Sequence, residues 1–270
     1  MKKIVLLIFL LGAFIKAPFA CLVFDDSAKA IPLKQPAQRI IVLAPDLTEI
    51  LFAIGAEKQI VGVMQGSDFP KTATRLPIVA SYNHLDREKI LALHPDLIIT
   101  WKDVGFLPQL KQFSVPVYVS HQKKLLDIPA TMLRLGCLTH HEKTAKEKAL
   151  TFTKQYEQLK SRYAGSRKLT VFYQVWPRPL MTISSQSWIN EVITLCGGEN
   201  IFAETKVAAP IVSEEAVIAK NPTVIIGQDT QNWLKFPEMT AVSEKHLMML
   251  QSDLLERAGP RILLGAKALC

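Results

Sequence analysis

Hydrophobic and polar positions along the chain follow two alternating periods. Short apolar runs recur at Arg39–Ala44, Ile60–Val63, Leu97–Thr100 and Val117–Val119, and again at Leu169–Val175 and Thr223–Ile226. Runs of this length, bounded by turn residues, suit strands buried on both faces of a parallel sheet. Between them lie stretches with helical spacing: Leu47–Ile54 closed by Gly55, Asp86 to about Leu93, Ile128–Leu138, Trp188–Leu195, Glu214–Lys220 and Gly259–Leu269. Strand–helix alternation is the signature of an α/β fold with parallel sheets and helices on their faces. Asp46 and Glu49 have the form of a capping box at the first helix. Residues 22–38 read as an irregular lead-in.

The longest helical pattern runs from Thr139 to Gly165. Its apolar positions Ala145, Ala149, Phe152, Tyr156, Leu159 and Tyr163 are spaced 4, 3, 4, 3 and 4 apart, one face of an α-helix. Thr139 followed by Glu142 reads as its capping box, Glu142–Lys146 as an i,i+4 pair, and Gly165 as its left-handed end. Strand-rich sequence lies on both sides, so the helix reads as a spine joining two lobes. The competing arrangement is one long helix within a single domain. The implied division is an export segment over 1–20, a first α/β lobe over 21–138, the bridging helix over 139–165 and a second α/β lobe over 166–270.

An internal echo supports two lobes of similar build. Asp86 through Ile99 matches Ser213 through Ile226 without a gap, at an offset of 127 residues. Each copy carries a helix cap, a glutamate two residues later (Glu88, Glu215), an apolar face, a proline stop (Pro95, Pro222) and a strand. Such a repeat implies a pseudo-twofold relation. Both glutamates fall in a first helical turn, where the helix dipole favours a carboxylate. A pseudo-twofold would also set them on one face, spaced to meet two symmetry-related basic sites on a dimeric partner.

Composition adds an address. Lys2 and Lys3, the apolar stretch Ile4–Phe14 and the small residues Ala17–Ala20 form an export signal, too short and too interrupted by Lys16 to serve as a membrane span. Cys21 directly after Ala20 admits lipid attachment, although Pro18 stands where a lipoprotein signal carries Leu. The formal charge is +8, three units of which belong to the export segment. The remaining basic residues are scattered, which speaks against a nucleic-acid partner. Four cysteines in an exported chain imply a disulfide, with three connectivities open. Cys196 ends a helix and Cys270 ends the chain, so pairing them would pin the last helix to its lobe. Cys137, inside an apolar helix, reads as a buried free thiol.

Catalytic chemistry is hard to find. The chain carries no G-x-S-x-G, P-loop or G-x-G-x-x-G pattern. Its six histidines form no i,i+4 pair, and His140–His141 reads as solvated rather than as a metal site. The informative residues are aromatics near strand ends: Tyr82, Trp101 and Trp176. Open α/β sheets bind ligands beyond the carboxyl ends of their strands, and three aromatics from two lobes suit a flat, partly apolar ligand.

The stretches Ile41–Glu49, Val61–Val63 with Ser67–Pro70, Glu88–Ile99, Leu195–Phe202 and Ser252–Ile262 give the chain a family resemblance from about Arg39 to Cys270. It resembles the periplasmic iron-siderophore, haem and cobalamin binding proteins of ABC importers. The Cys-Gly-Gly-Glu-Asn-Ile-Phe and Glu-Arg-Ala-x-Pro-Arg-Ile stretches point to the cobalamin branch. The resemblance implies two Rossmann-like lobes with parallel sheets, one rigid helix between them, a ligand cleft between the lobes and no enzymatic step or cofactor. It implies a monomer in the periplasm that takes up a small-molecule ligand. Delivery would be to a dimeric inner-membrane permease that meets Glu88 and Glu215. It also implies a Cys196–Cys270 disulfide and a pocket containing Pro45, Tyr82, Trp101, Trp176, Asp253 and Arg257. Tyr82 stands in place of a Trp of the cobalamin branch, and Gly66, Ala209 and Leu254 stand in place of a Tyr and two Trp residues, for which Trp176 would compensate. Haem is therefore the rival ligand, with Tyr82 as its axial group. An enzyme on the same scaffold is the remote third reading.

Overall fold

The computed structural model describes residues 21–166 and 168–270; the export segment expected over 1–20 lies outside the described residues. Two wholly parallel sheets organise the chain. The first contains β1 (Ile40–Leu43), β2 (Ile60–Met64), β3 (Ile78–Ala80), β4 (Leu97–Trp101) and β5 (Val117–Ser120), in the spatial order β3–β2–β1–β4–β5. The second contains β6 (Leu169–Gln174), β7 (Gly198–Asn200), β8 (Val224–Gly227) and β9 (Leu247–Met249), in the order β7–β6–β8–β9. Without the edge strand β3 the two orders coincide, so both lobes are wound alike. Every residue of β1 and of β8 is buried, as their unbroken apolar runs require.

The repeated segments form α2 (Arg87–Ala92) with β4, and α6 (Glu214–Lys220) with β8. Asp86 Oδ1 accepts from the Lys89 N–H at 3.0 Å, and Ser213 Oγ accepts from the Ala216 N–H at 3.2 Å. After each helix one residue turns left-handed, His94 at φ +44° and Asn221 at φ +40°. These positions are also 127 apart, and each precedes its proline. The correspondence therefore extends to backbone conformation.

The remaining principal helices are α1 (Pro45–Ile54), α3 (Asp127–Thr139), α4 (Glu142–Tyr163), α5 (Trp188–Leu195) and α7 (Ile262–Leu269). Helix α4 is the spine. It buries Ala145, Ala149, Phe152, Tyr156 and Leu159, and it packs on α1 and α3 of the first lobe and on α5 and α7 of the second. Gly136 permits the closest of these approaches, since a Cβ there would collide with Ala145.

Three sequence expectations need correction, while Gly165 supplies the left-handed end expected of it. Thr139 ends α3 instead of capping α4; its hydroxyl donates to the Leu135 carbonyl at 2.8 Å, and the Glu142 carboxylate faces His140 at 3.5 Å. Helix α4 closes through a type II turn, with Ala164 at φ −60°, ψ 120°, Gly165 at φ +84°, and Ser166 N–H donating to the Tyr163 carbonyl. Cys137 is no free thiol. It bonds to Cys21 with the Cα atoms 5.8 Å apart, and a sulfur so engaged carries no lipid thioether. The lead-in is ordered as well: Val23–Phe24 pairs with Ala30–Ile31 in a hairpin, and Asp26 bonds Arg134 of α3 at 2.7 Å. Cys196 and Cys270 form a second disulfide, 4.9 Å between Cα atoms, which ties α7 to the end of α5.

Candidate functional site

A cleft of about 1130 Å³ opens between the lobes, where strands of both sheets end. Asp103, His121, Lys123 and Lys124 form its first-lobe wall, while Val175, Trp188, Asn190, Ala209 and Glu256 stand on the second-lobe side. Burial holds the Glu256 carboxyl above the usual carboxylate range, with the Tyr173 hydroxyl 3.4 Å away. Glu191 staples the structure beside the cleft. It accepts from Leu125 N–H of the first lobe at 2.7 Å and from the Tyr156 hydroxyl of the spine at 3.0 Å.

The first turn of α1 builds a polar joint between the lobes. Pro45 occupies N1 after the extended Ala44, so Asp46 and Glu49 point into the interior from one helix face. Neither caps the helix, contrary to the capping-box reading. Asp46 is buried; its Oδ1 accepts from the Trp101 indole N–H at 2.7 Å. With its amide oriented to satisfy both ends, Gln122 donates to Asp46 Oδ2 at 3.2 Å and to the Ala258 carbonyl of the second lobe at 2.8 Å, and accepts from Thr131 Oγ1. Burial pushes the Asp46 carboxyl up to about 7, helped slightly by Glu49 and opposed by the Leu47 N–H and the Trp101 indole.

Glu49 anchors the other half of the joint. Its side chain is 2% exposed and receives Arg261 Nε at 2.8 Å, Arg261 Nη2 at 2.6 Å and Arg257 Nη1 at 3.2 Å. Arg257 also reaches Asp68 at 2.7 Å and Asp253 at 3.2 Å. Burial disfavours the Arg257 charge, but Asp68 and Glu49 outweigh it, and Arg257 in turn holds the Asp68 carboxyl below its usual range. The Arg261 guanidinium lies 3.8 Å from the Phe69 ring centroid.

The structure thus gathers Trp101, Asp253 and Arg257, with Pro45 at the start of α1, around one joint; these four do not line the cleft, whose wall meets the joint at Gln122 and reaches Glu256 beside Arg257. Tyr82 stands on the segment after β3 and Trp176 on a short hairpin after β6, paired with Met181; they are 68% and 54% exposed. The Trp176 indole donates to the Arg178 carbonyl at 2.9 Å. Glu88 and Glu215 are exposed in their first turns. The charges around them are tied back: Lys89 Nζ donates to the Ile78 carbonyl at 2.7 Å, Arg87 bonds Gln112, and Glu214 pairs with Lys235 at 2.8 Å. Its own backbone N–H, and then Ser213, hold the Glu215 carboxyl below the usual range.

A family model of periplasmic binding proteins matches residues 40–254. The chain belongs to the periplasmic binding proteins. A "Vitamin B12-binding protein" of Yersinia pseudotuberculosis is 36% identical over 271 residues, covering 96% of this chain and 94% of the relative. Another of that name, from Vibrio parahaemolyticus, is 35% identical over 87% of this chain and 89% of its own length. Among solved structures, the periplasmic vitamin B12 binding protein BtuF of Vibrio cholerae superposes with a TM-score of 0.82 at 35% identity, covering 87% of this chain and 96% of that one. A periplasmic heme binding protein from Pseudomonas aeruginosa shares the fold at 24% identity and a TM-score of 0.77, over 86% of this chain and 91% of that one. Among the described residues no helix is long and apolar enough to cross a membrane.

Several residues of this periplasmic binding protein escaped sequence reasoning. Asp46 and Glu49 passed for a cap, Gln122, Trp188 and Glu191 carried no motif, and Arg261 counted only as part of the Glu-Arg-Ala-x-Pro-Arg-Ile stretch. The signal available was two carboxylates three apart, directly after a buried strand and a proline. Arg257 and Arg261, four apart and 208 and 212 residues away from Glu49, supply matching charge.

Proposed function

We propose that this protein is a periplasmic carrier that captures cobalamin between its lobes and hands it to a dimeric ABC permease, without a chemical step of its own. The observation that carries this reading is the interlobe cleft. Its volume of about 1130 Å³ exceeds the ~300–1,000 Å³ of pockets for drug-sized ligands, so it suits a large ligand held by both lobes. Relatives named for vitamin B12 over nearly the whole chain supply the ligand class. In this reading Tyr82, Trp101 and Trp176 offer apolar faces to the corrin, while Pro45, Asp253 and Arg257 stand beside its seat. Haem is the second reading, favoured by the exposure of Tyr82, whose hydroxyl is free to reach an iron.

Exposed and joint-bound aromatics should behave differently. Trp176→Ala is expected to weaken cyanocobalamin binding by about 1–2 kcal/mol while the free protein melts within about 0.5 kcal/mol of the wild type. Calorimetric titration and thermal melting on the same samples check this. Unchanged affinity would remove Trp176 from the pocket.

In the proposed delivery step Glu88 and Glu215 dock onto two symmetry-related basic sites. The double variant Glu88→Arg with Glu215→Arg should abolish uptake while leaving ligand affinity intact. Each single change should cost less, since two linked contacts act together. Uptake assays beside ligand titrations test it. Normal uptake by the folded, exported double variant would return both residues to the role of helix-start carboxylates.

A further inference from the structure

Asp46 is a carboxyl buried where the two lobes meet, with no ion-pair partner among the described residues. We propose that Asp46 is a positioning residue whose charge state sets the grip of the cleft, by fixing the Trp101 indole and by tying the Ala258 loop to the first lobe through Gln122. The proposal rests on the reading that Trp101 meets the ligand.

The argument is one of donors and acceptors. The Trp101 N–H occupies Asp46 Oδ1, so an added proton belongs on Oδ2. That oxygen faces the Gln122 amide, whose NH₂ also serves the Ala258 carbonyl. With Asp46 ionised, Gln122 donates to both lobes at once and its carbonyl accepts from Thr131. With Asp46 protonated, two donors face each other. Gln122 must then turn its carbonyl toward Asp46, which withdraws the NH₂ from Ala258. Protonation therefore exchanges an interlobe hydrogen bond for an intralobe one. The loop that loses it also carries Arg257 and Arg261.

The groups facing Asp46 are few. Glu49 lies on its own helix with its charge engaged by Arg257 and Arg261 from the second lobe. Trp101 faces it from β4, Gln122 from the segment after β5, and Ala258 from the second-lobe loop. Burial brings the Asp46 carboxyl itself to about 7. The switch thus lies within the range of a normal extracytoplasmic pH.

The test uses the exported protein with cyanocobalamin, titrated across about pH 5 to 8. In the wild type, affinity should rise roughly tenfold with pH, the worth of one net hydrogen bond. Asp46→Asn is nearly isosteric and places an NH₂ where the protonated acid has its hydroxyl. It should hold the weak, low-pH affinity at every pH. Gln122→Met removes the bridge but leaves Asp46 and Trp101 in contact, and it too should flatten the profile. A 5-fluorotryptophan NMR signal from Trp101 should titrate in the wild type and in Gln122→Met, and stay fixed in Asp46→Asn. Parallel affinity profiles in Asp46→Asn and the wild type, or a Trp101 signal that ignores pH in the wild type, would overturn the proposal. Failure of cyanocobalamin to bind any of the three proteins would count against the ligand instead, and the fluorine titration alone would then decide whether the joint titrates.

Discussion

Replacing Glu49 by alanine is expected to destabilise the free protein by about 3–5 kcal/mol. The reason is arithmetic of charge in a buried place. Glu49 is 2% exposed, and Arg257 and Arg261 are only 14% and 16% exposed. Removing the one carboxylate they share takes from Arg261 its acidic partner at the joint and leaves Arg257 with its more exposed ones, Asp68 and Asp253. A contact of this kind costs more to break than it contributes over an apolar replacement. Asp68→Asn is the control: its side chain is 55% exposed, and an exposed pair is worth only about 0–1 kcal/mol. Denaturant unfolding of both variants at neutral pH measures the difference. Equal, small losses would mean that the joint is solvated and holds nothing.

Replacing Asp46 by asparagine should act in the opposite direction, by an amount that grows from about pH 4 to about pH 7 and then levels off. The Asp46 carboxyl is raised from 3.8 to about 7 by burial. The folded protein therefore binds this proton more tightly than the unfolded chain. The stability it lends is fully present below about pH 4 and is lost as pH rises through about 7. Asparagine cannot ionise and escapes that loss. Relative to the wild type, the variant should gain on the order of 4 kcal/mol between about pH 4 and pH 8, at about 1.4 kcal/mol per pKa unit. Comparing the two proteins at each pH cancels contributions from Asp68, Glu215 and Glu256, which both share. Superimposable stability–pH curves would refute the buried charge. The wild type thus keeps an ionisable group where an amide is more stable, as expected if the charge serves the grip of the cleft.

Periodicity made much of this fold legible. Apolar runs such as Ile40–Leu43 and Val224–Gly227 admit few alternatives to a buried strand, and the face from Ala145 to Leu159 admits few alternatives to a helix. The repeat reached further still, since His94 and Asn221 share a left-handed backbone that only the pairing of copies would suggest. What stayed hidden was non-local. Strand Gly198–Asn200 has no apolar run because it borrows its place from the β6 edge. Thr139 looks like a helix start because a hydroxyl that caps one helix can equally bond back within the preceding one. Cys137 resembles a core thiol until the fold brings Cys21 across 116 residues. The joint is the clearest case. The pair Asp46 and Glu49, the lone Gln122 and the pair Arg257 and Arg261 come from three stretches far apart in sequence, and each has an ordinary local explanation. The exposed residues proposed for ligand contact and docking stand out locally for the opposite reason: Glu88 and Glu215 sit in first turns of capped helices, and Tyr82 and Trp176 lie close to strand ends.

The central claim is that the cleft between the lobes holds a corrinoid. Equilibrium dialysis of the purified protein against equal concentrations of cyanocobalamin and haemin, followed by the absorbance spectrum of the retained material, tests it most directly. The account predicts corrinoid bands at about one ligand per protein, unchanged in Tyr82→Phe. A retained haem Soret band that disappears in Tyr82→Phe, with no corrinoid bound, would contradict it.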